Sequence, residues 1–314
     1  MSTAGKYRLV TRSDFDGLVC AVLLRALDMI DEITFVHPKD VQDGLIEVSE
    51  SDILTNLPYA PEAHLVFDHH HSETLRIGGT PANHIIIEDA PSAARVVFDH
   101  YGGTAAFPMI SDELMRAVDQ ADSADYALDD ILRPEGWTLL NFLMDSRTGL
   151  GRFRDFRISN YQLMMQLIDS VLNEAAVADI LREPDVAERV KLFHEQSELF
   201  VAQLQRVCTI RGDLVVVDLR DEEIIHAGNR FMVYALFPQC RVSVHVIWGK
   251  QKQNTVLAVG KSILDRTSPV DIGQLMLKYG GGGHHAAGTC QVPHDETDKV
   301  LNEIAAAVNE PARV

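Results

Sequence analysis

The chain has 314 residues, enough for two domains of ordinary size. Apolar residues make up 46%, which excludes a disordered chain, and the formal net charge is −18, which argues against binding long duplex nucleic acid, an affinity built on released counterions. No run approaches the length of a membrane span, the first residues hold no apolar signal core, and Cys20, Cys208, Cys240 and Cys290 form no CxxC pair, so a cytoplasmic protein without disulfides and without a membrane partner is expected.

Tyr7 to Thr11 reads as a first strand, Ser13 to Gly17 as a tight turn, and Leu18 to Ile30 as a buried helix. Ile33 to His37, Leu65 to Phe67 and His84 to Ile87 read as further strands. Strand, glycine turn and buried helix open a βαβ unit. Helices are expected at Ser92 to Tyr101, stopped by Gly102-Gly103, from Ser111 with acids in its first turn, and at Trp137 to Met144. Asn160 to Leu172 and Val186 to Gln205 have the spacing of long amphipathic helices. From Thr209 strands return at Leu214 to Val217, Val242 to Trp248 and Thr255 to Val259, with helices at Asn229 to Phe237 and Val270 to Tyr279. The second helix runs into Gly280-Gly-Gly-Gly283-His284-His285.

Three groups of residues carry chemistry. Asp14 and Asp16 lie two apart in the turn after the first strand, where two carboxylates converge on a cation, or else one of them simply caps the next helix. An apolar strand leads straight into Asp68-His69-His70. Adjacent imidazoles there can take different tasks, one ligating and one donating to a substrate oxygen, with Asp68 orienting them. Four consecutive glycines, Gly280 to Gly283, followed by His284 and His285, exceed what a helix stop needs and suit close approach of backbone N–H groups to phosphate. Asp52 and Asp122, read alone, are solvated acids.

Taken together, Ser13 to Gly17, Asp52, Asp68-His69-His70, and Gly281-Gly282-Gly283-His284 through Gly288 resemble the DHH phosphoesterase superfamily, in its branch with a DHHA1 domain. The resemblance spans nearly the whole chain. It implies an α/β fold, with a parallel-sheet catalytic domain at 1–172, a helical connector at 173–208 and a smaller mixed-sheet α/β substrate domain at 209–314. It implies two divalent cations, Mn2+ with Mg2+ as the alternative, with Asp14 on one, Asp16, His69 and Asp122 on the other, and Asp52 bridging. Asp119, Asp125 and Asp145 are rivals to Asp122. Many members carry His two residues before the first Asp, where this chain has Arg12, which cannot ligate. Arg12 is read as a phosphate clamp, with His37 or water as the other way to fill the gap.

The reaction implied is metal-assisted hydrolysis of a phosphoester. Asp68, His70 and Arg12 are its catalytic residues, His70 and Arg12 stabilising charge on the phosphoryl oxygens. The glycine run, His284, His285, Arg230 and Arg266 are the expected contacts to the rest of the substrate. Substrates in view are short oligoribonucleotides, linear or cyclic dinucleotides and 3′,5′-bisphosphonucleotides. The alternatives are a polyphosphate hydrolase and a nucleotide-binding protein with weakened catalysis. The oligomeric state is left open, a homodimer being one option.

Overall fold

The structure, a computed structural model, describes residues 5–310. It divides into two compact units. The first contains the residues up to Asp125, Glu135–Ser146 and Leu150–Lys191; the second contains Tyr126–Pro134, Arg147–Gly149 and the chain from Leu192 onward. The segment 173–208, expected as a connector, is divided between the two units at Lys191 and Leu192, within the helix Pro184–Val207.

The first unit is built on five strands: β1 (Tyr7–Arg12), β2 (Ile30–Val36), β3 (Asp52–Thr55), β4 (Leu65–Asp68) and β5 (His84–Ile86). All pairings are parallel and the order is β2-β1-β3-β4-β5. Leu9, Val10, Ile53, Leu54, Val66 and Phe67 are wholly buried. Their unbroken apolar runs follow from burial of both faces of a parallel sheet. The helix Phe15–Ala26 has every residue from Phe15 to Leu24 buried, which explains why its sequence shows no polar stripe. It is shorter than the apolar run suggests. Asp28 turns the chain at φ 58°, and Ile30 already belongs to β2.

The second unit has a six-stranded mixed sheet in the order β10-β11-β9-β8-β7-β6. Its strands are β6 (Cys208–Arg211), β7 (Leu214–Asp218), β8 (Val242–Trp248), β9 (Thr255–Lys261), β10 (Gly282–His284) and β11 (Ala287–Val292). The β7–β8 pair is parallel and the others antiparallel. Val216, Val244, Leu257 and Cys290 of the sheet share one core with Ile272 and Met276 of the helix Ile272–Leu277 and with Leu301 and Ile304 of the helix Thr297–Asn309. The helix expected at 229–237 reduces to Met232–Leu236, because Asn229 turns its side chain back to the Phe231 N–H.

The α/β expectation holds: a parallel-sheet domain comes first and a mixed-sheet domain follows. Among the described residues, no helix is long and apolar enough to cross a membrane.

Candidate active site

The register of the first sheet lines up one row of residues at its carboxyl edge. Thr11, Thr55, Phe67 and Ile85 are partners across β1, β3, β4 and β5, so the next row is Arg12, Asn56, Asp68 and Ile86. Strand order reverses between β1 and β3, the kind of switch point at which open α/β sheets bind ligands. The turn after β1 brings Asp14 and Asp16 to this edge. Gly17 makes that turn feasible: a Cβ there would lie 2.0 Å from the Arg12 carbonyl oxygen.

Asp16 is 2% exposed. Its two carboxylate oxygens accept the Ala93 and Ala94 N–H groups, at 3.1 and 2.7 Å, at the start of the helix Ala93–His100. One ligand atom each from Asp16, His69 and Asp122 lies within 4.8 Å of the others. The His69 Nδ1 sits 3.0 Å from the Ala90 carbonyl oxygen, so Nδ1 carries the proton and Nε2 points at the carboxylates. Nε2 lies 2.9 Å from Asp122 Oδ2, at an angle that makes no aligned hydrogen bond.

The electrostatics call for a cation. Burial, then the negative charges of Asp122 and Asp14, push the Asp16 carboxyl well above the usual range. Burial lowers the basicity of His69, but Asp122 and Asp16 outweigh it and lift its pKa to about 9. Burial likewise opposes ionisation of Asp122, and His69 overcomes it, holding that carboxyl below its ordinary value. A proton on His69 thus does what a bound divalent ion does: it offsets two buried carboxylates. One imidazole and two carboxylates are a donor set for a divalent cation. Of the four acids weighed for the last position, Asp122 is the one in this group. Asp119 instead pairs with Arg95 and accepts from the Ser92 hydroxyl at 2.8 Å.

Asp68 is fully buried. Its Oδ1 accepts the His69 and His70 N–H groups, at 2.8 and 3.3 Å, and lies 2.7 Å from His70 Nδ1. The His70 side chain is 45% exposed. Its far nitrogen, Nε2, is therefore the one available to a ligand, with ring and tautomer held from behind. Arg12 Nε lies 2.9 Å from Asp14 Oδ2, while Asp14 Oδ1 caps the helix by accepting the Gly17 N–H at 3.0 Å.

Asp52 is a correction. It opens β3, paired with Arg8, whereas the site lies beyond the other end of that strand. Four residues of strand put it about 13 Å from Asn56 along the chain. It is 1% exposed and bound by Arg8 Nε and Nη2 at 2.7 and 2.8 Å, and by the Ser49 N–H at 2.7 Å. A shallow depression lined by Lys6, Arg8, Asp31, Glu32 and Ser49 surrounds it, away from the chemistry. The residue that β3 delivers to the edge is Asn56. It is 2% exposed, takes φ 53°, and neither carboxamide atom has a hydrogen-bond partner. The signal for it is its place just after the buried run Ile53-Leu54-Thr55, which pairs with Leu65-Val66-Phe67 and so sets Asn56 level with Asp68. His37 caps the short helix Pro38–Gln42 through its Nδ1, 3.2 Å from the Lys39 N–H.

In the second unit, the glycine run is a hairpin strand rather than an open loop. Gly282 and Gly283 pair with Thr289 and Gly288. A Cβ at Gly281 would meet the Thr289 carbonyl oxygen at 2.2 Å, and one at Gly283 the Ala287 oxygen at 2.3 Å, so strand packing accounts for these two. His284 and His285 stand exposed at the hairpin tip. His285 Nε2 lies 2.8 Å from Lys261 Nζ. Arg230 stacks on Phe231 at 4.1 Å, and Arg266 is exposed, its Nε reaching the Ile263 carbonyl oxygen at 3.3 Å. His245, missed in the sequence, is held neutral with a pKa of about 4 by burial and by Arg230.

Comparison with solved structures decides the class. The chain belongs to the DHH phosphoesterase superfamily, in its branch with a DHHA1 domain, and is a hydrolase acting on phosphoester bonds. It is 57% identical to the pGpG-specific phosphodiesterase PggH from Vibrio cholerae, over 97% of this chain and 99% of that one, with a TM-score of 0.85. Two distant structures also match. CDC45 from Entamoeba histolytica is 9% identical, with a TM-score of 0.49, over 97% of this chain and 96% of that one. RecJ from Thermus thermophilus in complex with Mn2+ is 16% identical, with a TM-score of 0.45, over 98% of this chain and 53% of that one. No family profile matches the chain, and no curated protein does.

Proposed function

We propose that this protein hydrolyses the phosphodiester of a short linear dinucleotide, with pGpG as its substrate and GMP as the product of both halves. The observation that carries the reading is the carboxyl-edge row with Asp16, His69 and Asp122 gathered beside Asp68 and His70, in a chain 57% identical to a pGpG-specific enzyme throughout its length.

Asp16, His69 and Asp122 would hold the divalent cation, Mn2+ by expectation. When bound, such an ion lowers the pKa of a coordinated water and draws charge from a phosphoryl oxygen. Arg12, braced by Asp14, presents a fixed positive charge to the phosphoryl oxygens. His70, with its Nδ1–H held by Asp68, presents Nε2 to the substrate, and in its imidazolium form it donates the Nε2 proton to the leaving ribose oxygen. Gly281, Gly282, Gly283, His284, His285, Arg230 and Arg266 are the proposed nucleotide contacts of the second unit. Its half-buried Arg230 and the lysine-paired His285 supply polarity suited to phosphate and guanine edges.

The test is turnover of purified protein with Mn2+ or Mg2+ on pGpG, other dinucleotides, a pentaribonucleotide, cyclic di-GMP and polyphosphate, resolved by chromatography. GMP from pGpG, lost in His69→Ala, is expected. Equal rates on the pentamer, or phosphate release from polyphosphate alone, would end the dinucleotide reading.

A further inference from the structure

The resemblance that calls for two cations requires a second ligand set around Asp14, the residue at position 12 and a bridging acid. The residues present do not supply it. Asp14 spends one oxygen on the helix cap and the other on Arg12. Arg12 is a permanent cation that offers no lone pair. The would-be bridging Asp52 is bound to Arg8 at the opposite end of β3, and the strand-end position beside Arg12 and Asp68 holds a neutral carboxamide, Asn56. Among the described residues, Asp14 belongs to no group of side chains close enough to share a metal ion. The other such group, Asp68 with His69 and His70, shares His69 with the first, and its Asp68 Oδ1 and His70 Nδ1 face each other at 2.7 Å, which leaves it Asp68 Oδ2, buried and without a hydrogen-bond partner. A second divalent ion at Asp14 would lie against the Arg12 guanidinium.

We infer that this site takes a single divalent cation, on Asp16, His69 and Asp122, and that the Arg12 guanidinium stands where the second would. A guanidinium matches two phosphoryl oxygens in a planar fork, which a second metal would otherwise bridge. Asn56 completes the substitution. Both atoms of its carboxamide are buried and unpartnered, a rare condition for a polar group and one that a ligand oxygen would relieve. Around these four residues the charges pair off: Arg12 sits on Asp14, and one divalent ion would offset Asp16 and Asp122.

The inference rests on the phosphoesterase reading of this edge, but its test needs no substrate. The protein is stripped with chelator, dialysed to equilibrium against Mn2+ alone, and its bound metal counted by mass spectrometry of the element. Electron paramagnetic resonance then reports whether the ions are isolated or magnetically coupled. One ion per chain with the six-line signal of isolated Mn2+ is expected. Two ions per chain with an exchange-coupled signal would overturn the inference. The double variant Arg12→His, Asn56→Asp is expected to rise from one ion to two and to gain the coupled signal. If it folds by circular dichroism and still binds one, the assignment to these two positions is wrong. Protein that binds one ion and leaves pGpG intact would sink the substrate reading while leaving the metal count standing.

Discussion

Replacing Asp52 by alanine separates a structural acid from a metal-bridging one. The side chain is 2% exposed and accepts two hydrogen bonds from Arg8 and two from Ser49, one of them at 3.2 Å from the hydroxyl. Burial disfavours its charge, yet Arg8 and Ser49 more than compensate and hold its carboxyl below the ordinary range. Removing one partner of a buried pair costs about 3–5 kcal/mol, because the other charge is left uncompensated. Arg8 keeps 30% exposure and a bond to the Glu47 carbonyl oxygen at 2.8 Å, so the loss falls at the low end, roughly 3 kcal/mol. In a domain of this size that lowers the melting temperature by about 6–12 °C. Urea unfolding gives the stability, and Mn2+ titration by calorimetry gives the metal affinity. The expected result is a less stable protein whose Mn2+ affinity stays within about twofold and whose folded fraction turns over normally, because about 13 Å of strand separates Asp52 from the site. A folded, stable Asp52→Ala protein that has lost its metal would refute this placement of the site.

Metal binding should depend on pH through His69. Its pKa of about 9 means that binding at neutral pH displaces a proton, so apparent Mn2+ affinity falls about tenfold per unit as pH drops below about 9. A pH-independent affinity between 6 and 8 would contradict this. The same shift makes the metal-free protein less stable as pH rises. The folded-state pKa lies above the ordinary 6.5, so the stabilisation is complete below pH 6.5 and lost towards about 9, a change of roughly 3 kcal/mol readable as a falling melting temperature. Saturating divalent ion should flatten that slope. Asp68→Asn and His70→Ala should each lower kcat by about two orders of magnitude, since each removes the oriented imidazole, and the double variant should be no worse than either single one. Additive losses would show that the two act separately. Gly17→Ala should destabilise the first unit by more than about 2 kcal/mol, since the added methyl meets backbone at 2.0 Å and only movement of the helix relieves it; unchanged chemical denaturation would refute the close packing.

Much of the site was legible because its residues stand beside strong local signals. An apolar strand stopped by Asp68-His69-His70, and a strand stopped by a turn holding Asp14, Asp16 and Gly17, announce a sheet edge wherever they occur. The element types of the parallel half followed from apolar runs that only a sheet buried on both faces explains. Composition likewise set a limit: a chain of this length builds its own cores without help from disulfides.

Register was the part that local sequence could not supply. Asp52 and Asn56 bracket the same strand, and nothing nearby says which end faces the chemistry. The pairing of Thr55 with Thr11 and Phe67 decides it and puts Asn56, not Asp52, at the carboxyl edge. The glycine run could have been an open cradle or a packed hairpin until its neighbours were in place. Asp122 was one acid among four until the sheet carried Asp16 and His69 to it. Side-chain identity is written in the chain, but a site is a distance between distant residues, and only long-range strand pairing and helix packing set those distances.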